Sequence, residues 1–345
     1  MKKLLLTALI ILSGSILFSE ELFKPGDRVV FLGDSITYAG KFIGFLRGFA
    51  AMNGDKKETF FFNLGIPGDT CKLASKRVNR ELVPLKPSVV FLMFGMNDLE
   101  GWRFPLDRKK QEKNIHRAKT DFQKNLSDLI VSLKKYGFRI VLLTPTPYDE
   151  YGTQKGSIWK GFNEEGLAEA AKFIRQEAQK RNLPCVDLFQ PMTVYLKAHP
   201  EKRLCGNDRI HPGDRGHLMI AKIIWDHSKT KPVSEKILSA CSGHRIPELV
   251  PKIASMKKLM NDERVLREFA WMEEVAVRNG GDLKNNGSAD AAFERELEKR
   301  KNTRSFKTWQ KMILKYQKNR DKIPELKKKF EQQCSELFRN DGSAN

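Results

Sequence analysis

Long apolar runs are scarce in this chain. Beyond the first twenty residues, none of its 345 positions belongs to a stretch long enough to cross a bilayer. The N-terminus is different: Met1-Lys2-Lys3 precedes an apolar run from Leu4 to Phe18, then Glu20-Glu21. Lysines before a short apolar stretch predict a secretory signal peptide over residues 1–19, and hence a periplasmic or extracellular protein. An uncleaved N-terminal anchor is the other reading, because the cleavage site is untidy. No lipobox cysteine is present. Cysteine is also sparse: Cys71, Cys185, Cys205, Cys241 and Cys334, none in a C-x-x-C pair. That argues against a structural zinc site. In an exported chain one disulfide stays open, and an odd count leaves at least one thiol over. There is no internal repeat of 20–50 residues, which argues against a solenoid. Acidic charge is short, 42 Asp and Glu against 62 Lys and Arg, for a net +20. This balance speaks against a halophilic or acidic-tail protein. It leaves nucleic acid, an anionic membrane surface and an acidic polymer open as partners. With 40% apolar and 30% charged residues, the chain can bury a core, which argues against wholesale disorder.

What is present is an alternation. Short apolar runs at Val29–Leu32, Phe60–Leu64, Val89–Phe94, Ile140–Leu143 and Cys185–Leu188 are β-branched or aromatic in flavour. They read as strands buried on both faces, the mark of a parallel sheet. Helical patterns lie between them. Phe122, Leu126, Leu129, Ile130 and Leu133 form a 3.6-residue stripe over Asp121–Lys135, with Gly137 placed to stop it. Glu165–Arg181 is a second such helix. The βαβα order predicts an α/β sheet with helices on both sides.

Ligands in such folds bind beyond the carboxyl ends of the strands. The segments found there are Gly33-Asp34-Ser35, Gly65-Ile66-Pro67-Gly68-Asp69, Gly95-Met96-Asn97-Asp98 and, in the last loop, Asp208-Arg209-Ile210-His211-Pro212. A hydroxyl nucleophile needs a base in hydrogen-bond reach, and the base needs an orienting group. Ser35, His211 and Asp208 supply these three. A tetrahedral intermediate also needs donors aimed at its oxygen. The Ser35 and Gly65 backbone N–H groups and the Asn97 amide supply those. Each motif alone is a common turn; the set, in this order and at these strand ends, is specific.

On these residues the chain resembles the SGNH, or GDSL, hydrolase family. The Ser, Gly, Asn and His that name the family match Ser35, Gly65, Asn97 and His211. Gly33-Asp34-Ser35-Ile36 has Ile where the family more often has Leu. Asn63-Leu64-Gly65 with Gly68-Asp69-Thr70, then Gly95-Met96-Asn97-Asp98, then Asp208-Arg209-Ile210-His211-Pro212, look like its later blocks. The resemblance covers about residues 27–228. It implies a three-layer αβα sandwich, flavodoxin-like, with a five-stranded parallel sheet. It implies ester hydrolysis through an acyl-enzyme, with no metal or organic cofactor. Ser35 would attack, His211 would move the proton, and Asp208 would orient the imidazole. No Gly-x-Ser-x-Gly elbow of the α/β-hydrolase type surrounds Ser35.

Other residues are weaker candidates. Asp34, Asp98, Trp102, Arg103 and Tyr148 are candidate substrate contacts from loops that should border the site. Asp98 also reads as a loop brace. Tyr148, Tyr151 and Trp159 could form an aromatic wall or simply pin their loop. His217 reads as packing, and Cys71 as structural.

Past Lys231 the strand-like runs vanish. Val265, Leu266, Phe269, Met272 and Ala276 form one helical face, residues 279–290 are a break, and two or three helices follow. The chain thus divides into a signal over 1–19, a hydrolase domain over 20–232 and a basic helical extension over 233–345. Residues 299–329 carry 13 Lys and Arg against 2 Asp and Glu. Phe306, Trp309, Met312, Ile313 and Tyr316 there are spaced as an amphipathic helix. The segment reads either as a packed helix with a solvated basic face, or as an attachment to an anionic polymer or surface. Nucleic acid is not expected, since no binding motif accompanies the charge. The expected activity is an exported serine esterase taking a small acyl group, acetyl first, from a carbohydrate. The alternatives are a lysophospholipase or thioesterase, or a surface-associated binding protein using the basic tail.

Overall fold

The computed structural model describes residues 21–52, 59–153, 158–228, 232–243, 250–303 and 305–339. The signal peptide expected over 1–19 lies outside the described residues. The chain runs β1 (Arg28–Gly33), α1 (Ser35–Ala39), α2 (Lys41–Met52), β2 (Phe60–Gly65), α3 (Cys71–Ser75), β3 (Val89–Met93), α4 (Arg108–Lys134) and β4 (Arg139–Leu143). It continues through α5 (Ala168–Arg181), β5 (Cys185–Val186), α6 (Phe189–Ala198) and α7 (Asp214–Ser228). Five helices follow without further strands: α8 (Glu235–Cys241), α9 (Val250–Arg278), α10 (Asn286–Arg300), α11 (Phe306–Asn319) and α12 (Ile323–Arg339).

The five strands form one parallel sheet in the order β2-β1-β3-β4-β5. Val29, Val30, Phe31 and Leu32 of β1 are all buried, as are all five residues of β3. A strand buried on both faces has no polar alternation, which is why continuous apolar runs mark it in sequence. On one face α2 and α7 pack together, with Phe49 edge-on to Trp225 and Phe42 edge-on to Phe31 of β1. On the other, α4 and α5 pack through Phe122 and Phe173. The result is the αβα sandwich. Two boundaries differ from the sequence expectation. Helix α4 begins at Arg108 rather than Asp121; its first turns are almost wholly polar and, among the described side chains, bury only Ile115 and Ala118, so no apolar stripe marks them in sequence. Strand β5 is two residues long.

The extension is built on the β2 edge of the sheet, where α9 packs against both β2 and α2. Covering an edge strand removes a template for unwanted pairing. Val233, Ile237 and Met256 join the core of the sandwich. Phe269, Met272, Ala276, Ala292, Phe293, Trp309, Ile313 and Tyr316 make a second core among α9, α10 and α11. The apolar stripe of the basic segment is therefore buried within the extension. Several of its cations are paired inside the protein: Arg300 with Glu296, Lys315 with Glu268, and Arg320 with Asp290. A buried ion pair fastens the two parts. Arg47 of α2 holds both oxygens of Glu263 on α9, at 2.8 and 2.6 Å, and also donates to the Phe61 carbonyl of β2. Arg267 donates to the same Glu263 at 3.0 Å and to the Ala39 carbonyl at 3.2 Å. No described helix is long and apolar enough to cross a membrane.

Candidate active site

Strand β1 ends at Gly33, and the chain turns at once into α1. Asp34 caps that helix: its carboxylate accepts from the Ile36 N–H at 2.9 Å. Ser35 is the first residue of α1, so its N–H lies at a helix N-terminus, where partial positive charge gathers. The other side of the site is the loop between α6 and α7. Cys205 and Pro212 pair there as an antiparallel bridge, and Gly206 N–H donates to the His211 carbonyl at 2.9 Å. The bridge presents Asp208 and His211 from one closed turn. His211 Nε2 lies 2.8 Å from Ser35 Oγ, and His211 Nδ1 lies 2.7 Å from Asp208 Oδ2. The other Asp208 oxygen accepts the Ile210 and His211 N–H groups, each at 3.0 Å. Partial burial pulls the Asp208 carboxyl upward, but the hydrogen bonds from His211 and Ile210 outweigh it and hold it below its ordinary range. Asp208 thus stays ionised. An ionised carboxylate only accepts, so Nδ1 carries the proton and Nε2 is left to accept from the serine hydroxyl.

The predicted oxyanion donors are placed as follows. Among the described residues the Ser35 N–H has no acceptor. The Asn97 amide donates to the Asp69 carbonyl at 2.9 Å. A carbonyl only accepts, so the NH2 end of the amide faces it and the second N–H remains for a ligand. Gly65 is engaged: its N–H donates to Asn63 Oδ1 at 2.8 Å. An oxyanion there must share that donor. Asn63 also donates to the Thr37 carbonyl at 2.7 Å, strapping the end of β2 to α1. Only glycine fits at Gly65, since a Cβ would lie 2.1 Å from the Tyr38 nitrogen.

Three of the candidate substrate contacts turn inward. Asp34 is only 2% exposed and is used as a helix cap. Asp98 braces two loops, accepting from the Cys71 N–H at 2.9 Å and the Gly95 N–H at 3.1 Å. Tyr148 is 1% exposed and lies parallel to the Trp159 ring at 5.2 Å, so it pins its own loop. A buried ring offers no face to a sugar. Trp102 stays 47% exposed. Arg103 lies 5.9 Å from the Trp102 ring, pairs with Glu100, and donates to Gln111 at 3.0 Å. His217 is stacked on Phe42 with 10° between the planes, and burial pushes its pKa down to about 3. Cys71, Cys185, Cys205 and Cys241 are free thiols. Among the described residues no group of three His, Cys, Asp or Glu side chains could hold a metal ion.

Two residues of the site gave no sequence signal. Arg209 stands between Asp208 and His211 with a left-handed φ of 64°. Its buried guanidinium donates to the carbonyls of Asp149 and Gly152 at 2.8 and 3.0 Å. The fold thereby holds a backbone conformation that a non-glycine residue avoids. Arg77, also buried, clamps the turn after β2 by donating to Asp69 Oδ2 at 2.9 and 2.6 Å and to the Leu64 carbonyl at 2.6 Å. An arginine in a polar, basic stretch reads as surface.

Burial foremost, with the charges of Asp98 and Asp69 adding, pushes Asp34 up to about 7. The folded chain then keeps a proton that the unfolded chain gives up near pH 4. The associated stability is present below about pH 4 and is lost as the pH rises through about 7. Asp34→Asn keeps an acceptor for the cap but has no such dependence. Melting temperatures from pH 4 to 8 should show the variant gaining on the parent up to about pH 7 and then level. A difference that stays constant over this range contradicts the shift.

The likenesses to known proteins agree with this geometry. The model of the GDSL-like lipase/acylhydrolase family matches residues 31–219, more than half of the chain. An acetylxylan esterase of Geobacillus stearothermophilus is 25% identical over 213 residues, 57% of this chain and 91% of that protein. Among solved structures, a gut microbial diltiazem-metabolizing enzyme matches with a TM-score of 0.72 at 18% identity, over 93% of this chain and 96% of its own. A variant of an acetyl xylan esterase from G. stearothermophilus matches with a TM-score of 0.51 at 22% identity, over 62% of this chain and all of its own. At these identities the two structures speak for the fold, and the first does so across the extension as well. Ser35, Gly65, Asn97, Asp208 and His211 all fall inside the matched span, and the chain belongs to the GDSL-like lipase/acylhydrolase family.

Proposed function

We propose that this carboxylic ester hydrolase removes acetyl groups from a carbohydrate through an acyl-enzyme intermediate, outside the cytoplasm. The hydrogen-bonded line from Ser35 Oγ through His211 to Asp208 carries this reading. Ser35 Oγ attacks the acyl carbon while His211 Nε2 takes its proton. His211 then returns the proton to the leaving alcohol, and Asp208 stabilises the imidazolium formed between the two steps. The Ser35 N–H and the free Asn97 N–H bind the oxyanion, with Gly65 sharing its donor. Water repeats the sequence on the acyl-serine and releases acetate.

The likeness to an acetylxylan esterase supports acetyl on a sugar. The N-terminal lysines and apolar run support export. The test is acetate release from a panel of acetylated polysaccharides, with a p-nitrophenyl ester series beside it. Acetate release from at least one polysaccharide, with C2 turned over faster than C8, is the expected result. Faster turnover of C8, with no acetate from any polysaccharide, would shift the reading to a lysophospholipase or thioesterase.

A further inference from the structure

The turn that receives the Asn97 amide is held from the extension. Asp69, fully buried, accepts the amide on its backbone carbonyl. Its side chain is the meeting point of two guanidinium groups: Arg77 on Oδ2, and Arg278 of α9 on Oδ1 at 3.0 Å. These contacts belong to a closed ring. Arg77 also holds Glu81 at 2.8 Å, Glu81 pairs with Arg80, and Arg80 pairs with Glu274 of α9. Glu274 holds Arg278 at 2.7 Å, and Arg278 returns to Asp69. Three arginines alternate with three carboxylates, so the ring is neutral. Four members come from the segment between β2 and β3, Asp69 from the turn after β2 and Arg77, Arg80 and Glu81 from the helical turn that follows α3, and two come from α9. Asp69, Arg77 and Glu274 are buried, where ion pairs are little screened by solvent and an orphaned member is costly.

We propose that Arg278 is a positioning residue for the oxyanion donor, and that the helical extension thereby completes the active site. The inference rests on the reading of Asn97 as that donor. Losing Arg278 leaves Asp69 Oδ1 buried without its cation and frees the turn on one side. Its carbonyl then moves, and the amide it aims moves with it. Misplacement by about 1 Å can cost on the order of 10²-fold in rate. A turn still held by Arg77 should shift by less.

The test uses the full chain and p-nitrophenyl acetate. Arg278→Met should lower kcat about tenfold and leave KM within about twofold, since the oxyanion forms only after binding. Arg278→Lys should recover part of the loss. In an Asn97→Ala background, Arg278→Met should change kcat by less than about twofold, because the group it positions is gone. If Arg278→Met does not fold, Glu274→Gln should show the same dependence on Asn97. An unchanged kcat, or an equal loss with and without Asn97, would overturn the proposal and leave the oxyanion reading standing. A fully active Asn97→Ala would remove both.

Discussion

Ser35→Ala should lower turnover of an acetyl ester by about 10⁴–10⁶-fold while leaving the fold unchanged. The size follows from what the hydroxyl does. In the proposed mechanism it is the atom that bonds to the acyl carbon, so its removal deletes the covalent route rather than slowing a step. A residual rate above water is expected from the oxyanion donors alone. Circular dichroism and melting temperature should match the parent, because the Ser35 hydroxyl contacts His211 and no element of the core. Burst kinetics with p-nitrophenyl acetate provide the second measurement: the parent should show an acyl-enzyme burst and the variant none. Near-normal turnover by the purified variant would dismiss the serine mechanism.

Asn97→Ala should cost about 10²–10³ in kcat, the usual price of one oxyanion donor. The loss should fall on kcat rather than KM, because the ground-state ester carries little charge on that oxygen. A loss confined to KM would make Asn97 a binding residue instead. Asn97→Asp is the sharper variant. It replaces a donor by an anion beside the Asp69 carbonyl, which now accepts from the Asn97 amide. Both the held contact and the oxyanion contact then become repulsive, so it should be no more active than Asn97→Ala.

The sheet was legible because parallel strands are buried on both faces, and Val89–Met93 shows this directly: every residue is apolar and every one is buried. Ser35, His211 and Asp208, which the structure brings into hydrogen-bond reach, were legible as a set because their motifs follow a strand end or fill the last loop. What the residues did not announce was direction. Asp34, Asp98 and Tyr148 are types that meet ligands when they sit on loops; Asp98 and Tyr148 take the alternatives also read for them, a loop brace and a ring stack pinning the loop, while Asp34 turns inward to a helix cap. Their partners can be distant in sequence, as Cys71 is from Asp98, so local pattern cannot assign them. The same holds for Arg77, Arg209 and Arg278. Each is one of many arginines in a basic chain, and only the fold distinguishes it. The extension was legible as helices, from the face of Val265, Leu266, Phe269, Met272 and Ala276. That the helix carrying this face, α9, would reach the turn after β2 was not.

The pairing of Arg47 with Glu263 joins residues 216 positions apart. Because the chain emerges N-terminus first, whether from synthesis or from export, Arg47 appears long before the carboxylate that neutralises it. Until α9 arrives, a nascent sandwich must either leave that guanidinium hydrated or bury it with the Phe61 carbonyl but no countercharge, and β2 lies bare along its outer margin. Contacts of such long span form late and slow folding, and an uncovered strand is prone to aggregation in the interval. Premature termination in α9 ahead of Glu263 should therefore yield insoluble chains rather than a smaller working esterase, although Ser35, Asp208 and His211 would already have been made.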